Sequence, residues 1–168
     1  MTSPPIRQPG VGDFDFLVGS WEVTNRRLVR PLTGSTEWDE FPATAVCHAP
    51  LFGGAANLDE ITFHTKGFTG LTLRLFDPEL REWSLNWVNS RTGRLTPPVV
   101  GRFDADGAGE FYGDDTHEGI PIRCRFTWSG ITRTSAHWEQ AFSTDGGHSW
   151  ETNWTMALTR TGEAGVAA

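Results

Sequence analysis

The sequence predicts an all-β fold, an antiparallel up-and-down barrel of about ten strands. Three observations lead there. Apolar and polar residues alternate along most of the chain, which is the period of a strand with one buried face. Helices find little room: with 19 Gly and 10 Pro in 168 residues, the longest stretch free of both is the fifteen residues Ile131–Asp145. That stretch carries Thr132, Thr134, Ser135, Ser143 and Thr144, which favour strands and turns. Eight Trp and eleven Phe are too many rings for a disordered chain. Consecutive strands with one apolar face make a meander, and closing the meander removes its exposed edges.

Element by element, Thr2–Gly12 holds three Pro and two Gly and reads as a mobile arm, so residues 1–12 precede a single domain at 13–160. Trp21, Val23 and Val29 share one parity, with Asn25 and Arg27 between them. Weaker strands fall at Ser35–Phe41, Ala43–His48 and Asn57–Phe63. Leu71, Leu73 and Leu75 then take the apolar parity against Thr72, Arg74 and Phe76. Leu80, Trp83 and Trp87 also fit helical spacing across Glu79–Thr92, but the Asp77-Pro78 turn and the Trp and Val content favour a strand. In it Trp83, Leu85 and Trp87 alternate with Ser84 and Asn86. Val99–Phe103 and Glu110–Asp114 follow. Ile122, Cys124, Phe126 and Trp128 alternate with Arg123, Arg125 and Thr127. Ala136, Trp138, Gln140 and Phe142 alternate with His137, Glu139 and Ala141. Trp150, Thr152, Trp154, Met156 and Leu158 form the last apolar parity, and Thr161–Ala168 reads as a flexible tail.

Two motifs stand out. Ser143-Thr-Asp145-Gly-Gly147-His-Ser149-Trp150 matches S-x-D-x-G-x-S/T-W, the Asp-box. Its physical content is a hairpin turn: Asp145 accepts from turn amides, the glycines supply positive φ, and Trp150 packs back beneath the loop. Glycosidase chemistry does not follow, because the propellers that use this box repeat it over a much longer chain. Phe14-Asp-Phe16-Leu-Val-Gly19-Ser-Trp21 is the second. A short apolar turn followed by G-x-W at the first long strand resembles the calycin superfamily of lipocalins, fatty-acid-binding proteins and nitrobindins. It is most similar to bacterial lipocalin-like proteins that begin F-D-F-x-x-G-x-W. The resemblance implies that the segment before the first strand closes the barrel's bottom, with Trp21 packed over it. The chain departs from lipocalins in lacking a C-terminal helix. It departs from nitrobindins after Trp21, where Glu22-Val-Thr-Asn-Arg replaces a glycine-rich continuation and sets haem binding behind other ligands.

A net charge of −7 argues against a nucleic-acid partner, since phosphate contacts need a basic surface. No apolar run approaches the roughly 18 residues of a membrane helix, and no signal-peptide pattern is present, so the expected location is cytoplasmic. Cys47 and Cys124 make neither a disulfide framework nor a metal cluster, and none of the five histidines stands clearly on an apolar inward face. No cofactor or metal is expected. The pairs Asp39-Glu40, Asp59-Glu60 and Asp114-Asp115 put neighbours on opposite faces of a strand, which suits solvent or turns. Asp114 falls within reach of Arg123 or Arg125 as a surface ion pair.

The informative polar residues share parity with the rings. Asn25, Arg27, Asn89, Gln140 and Thr152, with Trp83, Trp87, Trp138 and Trp154, are the candidate ligand-binding residues. If that parity faces inward, they line an aromatic cavity. Alternatively Arg27 and Asn89 touch water at the rims and Gln140 bonds to backbone. Three functions follow in order: binding of a small apolar or aromatic molecule, cofactor-independent chemistry of cyclase or isomerase type in the same cavity, and haem binding. A homodimer stays open.

Overall fold

A computed structural model describes residues 10–163, and within them ten antiparallel strands close into one barrel. They are β1 (Gly19–Leu28), β2 (Trp38–Cys47), β3 (Ala56–Phe63), β4 (Phe68–Asp77), β5 (Glu82–Asn89), β6 (Val99–Phe103), β7 (Gly109–His117), β8 (Ile120–Ser129), β9 (Ser135–Ser143) and β10 (Glu151–Gly162). Each pairs with its neighbour in sequence, and β1 pairs with β10 to close the cylinder. Among the described residues the only helical elements are 3-10 turns at Asp15–Leu17 and Phe52–Gly54. Glu79–Thr92 is therefore strand and turn.

Two expected strands are one. β2 runs unbroken through Pro42, which pairs with Thr24 of β1, whereas β3 reaches only Thr44–Cys47 of β2. A residue without an N–H is tolerated where no second neighbour asks for one. Alternation assigns the inward face correctly in β5, β8 and β9, where Trp83, Leu85, Ile122, Cys124, Trp128, Ala136 and Trp138 are buried. It assigns β4 the wrong way round. Thr72, Arg74 and Phe76 are buried inside, while the leucine parity faces out, with Leu71 39% exposed.

The bottom of the barrel is plugged by the chain before β1. Phe14, wholly buried, meets Trp83 and Phe103 edge-on at 5.0 and 5.1 Å between centroids. Trp21 Nε1 donates to the Leu17 carbonyl at 2.8 Å, so the G-x-W tryptophan does cap this plug. The Arg160 guanidinium clamps it from β10, donating to the carbonyls of Val18 and Phe16 and lying over Trp21 at 4.3 Å. Residues 10–12 belong to the plug and not to an arm. Trp83 Nε1 donates to the Gly10 carbonyl at 3.1 Å, and the Gly12 amide donates to Gly54 at 2.9 Å. A Cβ on Gly10 (φ +104°) would come within 2.3 Å of the Phe76 ring, so the chain can cross the ring only at a glycine. The expected arm at 1–9 lies outside the described residues, as do positions 164–168 of the tail, while Thr161 and Gly162 end β10.

Candidate ligand cavity and its mouth

Above the plug the interior keeps a cavity of about 70 Å³, walled by Trp87, Trp128, Trp138, Trp154 and Phe126 with aliphatic Leu85, Met156 and Leu158. The rings meet edge to face: Trp138 stands at 87° to Trp154 and at 69° to Phe126. Trp87, which pairs with Thr72 of β4, reaches the wall because its ring lies over Gly70 two residues away; a Cβ there would fall 1.9 Å from the indole. Space for a drug-sized ligand runs to roughly 300–1,000 Å³, so a larger guest requires these side chains to move.

A polar cluster enters the same cavity from β3 and β4. Arg74, 4% exposed, donates through Nη1 to Asn57 Oδ1 at 2.8 Å and to Asp59 Oδ1 at 2.9 Å. Asn57 Nδ2 in turn donates to the Phe14 carbonyl at 3.3 Å, tying the cluster to the plug. Arg74 Nε and Trp128 Nε1 are buried without a hydrogen-bond partner, and both residues line the cavity. Alternation alone points to neither Asp59 nor Arg74. Reading β4 by its leucines hides Arg74, and reading Asp59-Glu60 as a solvent pair hides Asp59; only the β3–β4 register, which sets Asn57 opposite Arg74 and Asp59 opposite Thr72, shows the pair.

Gln140 lines the cavity and donates through Nε2 to Asn153 Oδ1 at 2.9 Å, not to backbone. A bulge brings Asn153 there. β10 pairs Thr152 with Ala141 and Trp154 with Gln140, leaving Asn153 as the extra residue, and both Asn153 and Trp154 are buried. The same bulge puts Thr152 on the outer face beside Ala141, so the parity joining Trp150 and Thr152 to Trp154 does not hold. Trp150 is outside, against Tyr112 at 5.9 Å and under Arg125 at 4.5 Å.

The remaining candidates divide by height in the barrel. Trp83 is fully buried in the plug, below the cavity. Asn25 is fully buried and spends both ends of its amide internally: Nδ2 donates to the Phe41 carbonyl at 3.2 Å and Oδ1 accepts from Trp154 Nε1 at 3.0 Å. Asn89 Oδ1 accepts from the amides of Arg91 and Thr92 at 3.0 and 3.1 Å and shapes the turn after β5. Arg27 stands at the open end over Trp154, 4.5 Å from the ring centroid. Burial first, and then the charge of Arg91, lower its pKa from the usual arginine value.

The open end is roofed by a ring layer. Phe63, wholly buried, stacks on Phe68 at 4.6 Å and meets Phe41 and Trp154 at 6.0 and 5.9 Å. Above it opens a basin of about 490 Å³ whose wall includes Arg27, Leu28, Arg91 and His117. His117 is thus the histidine that stands on an inward parity, its ring 5.3 Å from Phe142. His137, on the outer face, pairs with Glu139 at 3.2 Å. Among the described residues no group of three or more His, Cys, Asp or Glu is placed to hold a metal ion. The Asp-box is a turn: Asp145 accepts from Ser143 Oγ at 2.7 Å and from the Ser149 amide at 2.9 Å, and Trp150 Nε1 donates to Gly147 at 3.1 Å. Asp114 pairs with Arg123 at 3.5 Å on the surface.

A closed antiparallel barrel plugged at one end and open over aromatic rings at the other has the lipocalin-like calycin fold. Among solved structures, the S-type phycobiliprotein lyase CPES from Guillardia theta is similar, with a TM-score of 0.58 at 11% identity over 92% of this chain and 94% of that one. Comparison with protein-family models finds no match, and neither does comparison with curated proteins. At that identity the likeness is one of fold. Among the described residues no helix is long and apolar enough to cross a membrane.

Proposed function

We propose that the protein binds a small, largely apolar molecule inside the barrel, with one acceptor atom of the guest taken by Arg74 and Trp128. The observation that carries this is the pair of unpaired N–H groups, Arg74 Nε and Trp128 Nε1, buried in residues that wall an otherwise ring-lined cavity. A buried donor left unmet costs about 1–3 kcal/mol, so an acceptor there is favoured over a purely apolar guest. Aromatic guests require half-buried members of the wall, among them Trp87, Phe126 and Gln140, to swing aside. The neutral probe N-phenyl-1-naphthylamine tests the reading. It should bind the native protein near one to one and quench tryptophan emission. Trp87→Ala and Gln140→Leu should change its affinity, and Arg123→Ala on the outer wall should not. Binding seen only after partial denaturation defeats the proposal.

A second reading, cofactor-independent catalysis of cyclase or isomerase type, is favoured by Asp59 and Arg74. A carboxylate and a guanidinium held 2.9 Å apart at the cavity wall can remove a proton and stabilise a developing oxyanion. The Guillardia theta neighbour is named a lyase, which supports chemistry on this fold by analogy alone. Turnover abolished by Asp59→Asn with guest binding retained would separate enzyme from carrier. Kinship with the bacterial lipocalin-like proteins rests on Phe14–Trp21. A cytoplasmic location is supported by two buried free thiols, Cys47 and Cys124.

A further inference from the structure

Three cations stand over the ring layer at the barrel mouth. Arg27 lies 4.5 Å from the Trp154 centroid, Arg91 4.4 Å from Phe68, and Lys66 4.9 Å from Phe41. The three rings all meet Phe63, so the cations crown one continuous apolar floor. All three line the basin of about 490 Å³, which the ring layer separates from the smaller cavity beneath.

Their charges are unevenly met. Lys66 Nζ is paired with Asp39. Arg91 Nη2 donates to the Lys66 carbonyl at 2.5 Å, and neither Arg91 nor Arg27 has a carboxylate partner among the described residues. Glu118 is the other carboxylate on the basin wall, and His117 and Arg30 are its other ionisable groups. In a chain of net charge −7, two arginines close enough to feel one another without a counter-ion are a local inversion of sign. Stacking holds each guanidinium by its face, and apart from the Arg91 Nη2 bond to Lys66 the N–H edges are left to receive an oxyanion.

We propose that this basin is a second binding site, for an organic anion with a flat apolar body: Arg27 and Arg91 hold the acidic group, and the body lies against the ring layer where Phe41 and Phe68 line the basin. Neither the site nor its test depends on whether the inner cavity takes a guest. Carboxylates, sulfonates and phosphate esters share the required chemistry, because each offers two or more coplanar acceptor oxygens to the arginine edges.

The test uses two probes that differ in one acidic group, 1-anilinonaphthalene-8-sulfonate and N-phenyl-1-naphthylamine, titrated into the native protein at low salt. The sulfonate should bind near one to one and weaken as salt is raised. Arg27→Gln and Arg91→Gln should each weaken it about tenfold or more, as expected for loss of a charge-assisted pair. Arg91→Lys should fall between, and Arg102→Gln, on a strand outside the basin, should have no effect. The neutral probe should keep its affinity within about twofold in all four variants. Sulfonate binding that ignores both arginine changes overturns the proposal, and so does a loss shared equally by the neutral probe. A neutral probe that never binds, beside a sulfonate that binds through the arginines, would sink the inner-cavity reading and leave this one standing. Far-UV circular dichroism on each variant separates lost binding from lost folding; should Arg27→Gln not fold, Arg91→Gln and Arg91→Lys decide the matter.

Discussion

Trp154 Nε1 donates to Asn25 Oδ1 at 3.0 Å, across the β1–β10 seam that closes the barrel. Asn25 passes the constraint on, donating through Nδ2 to the Phe41 carbonyl on β2 at 3.2 Å. One fully buried amide therefore orients the indole that walls the inner cavity on one side and carries Arg27 on the other. A ring held this way is a fixed partition. Its position is set before any guest arrives.

Asn25→Leu should lower stability by about 1–3 kcal/mol, because it orphans a buried indole N–H and a buried carbonyl. Urea unfolding measures the loss. The same variant should shift the tryptophan emission of the folded protein as Trp154 is released. A variant as stable as the parent would show that the seam does not need this bond.

The Arg74–Asp59 pair, with side chains 5% and 14% exposed, should behave as a buried ion pair. Asp59→Leu alone strands a guanidinium inside the barrel and should cost about 3–5 kcal/mol. Adding Arg74→Met should recover most of that, since an apolar pair of similar volume needs no counter-charge. A double variant as unstable as the single would mean that the Arg74 bond to Asn57, rather than the charge pair, organises this wall.

Gly70→Ala tests how tightly Trp87 fills its place. The new methyl would sit 1.9 Å from the indole, so the ring must tilt toward the cavity or the mouth. We expect a loss of about 1–3 kcal/mol from overpacking, with altered uptake of the neutral probe. Unchanged melting and unchanged uptake would place Trp87 in open space.

Both cysteines should be inert in the folded protein. Burial pushes the Cys47 thiol up to about 11 and the Cys124 thiol up to about 12, so neither is ionised at pH 8. A disulfide reagent at that pH should modify neither until denaturant is added, and then both. Fast reaction of either native thiol would contradict the burial.

The Asp145 carboxyl is held well below the usual carboxylate range, first by Ser149 Oγ, then by the Ser149 amide and Ser143 Oγ. A depressed folded pKa stabilises the fold above the unfolded Asp value of 3.8 and is lost as pH falls below it. Asp145→Asn should therefore melt earlier than the parent at pH 7, with the gap narrowing as the pH is taken down through 3.8 toward acid. Probe binding should be unaffected. A gap that stays constant across that range would assign the effect to geometry and not to charge.

The fold was legible because a closed meander repeats one rule ten times, and a rule read from period survives isolated errors. Merging two expected strands across Pro42 or moving the domain start back to Gly10 leaves the barrel unchanged. The site was less legible, because its polar residues obey register, not period. Gln140, Trp87, Trp138 and Trp154 come to the cavity from the parity their own strands display. Asn153 and Thr152 exchange places through a single bulge that no alternation signals. Arg74 hides behind three leucines that lie on the outer wall, since a lone strand cannot show which of two mixed faces has the better partner.

From sequence alone came the strand period and the turn chemistry of Ser143–Trp150, while the plug under Trp21 was implied by the family resemblance of Phe14–Trp21. These are local properties, written in residues a few positions apart. The tertiary structure decided that Arg74 meets Asp59, that Asn25 meets Trp154, and that Arg27, Lys66 and Arg91 gather over rings from three strands. Each of those meetings joins side chains from different strands or from the turns between them. Closure and register bring them together, and neither is encoded in any one strand.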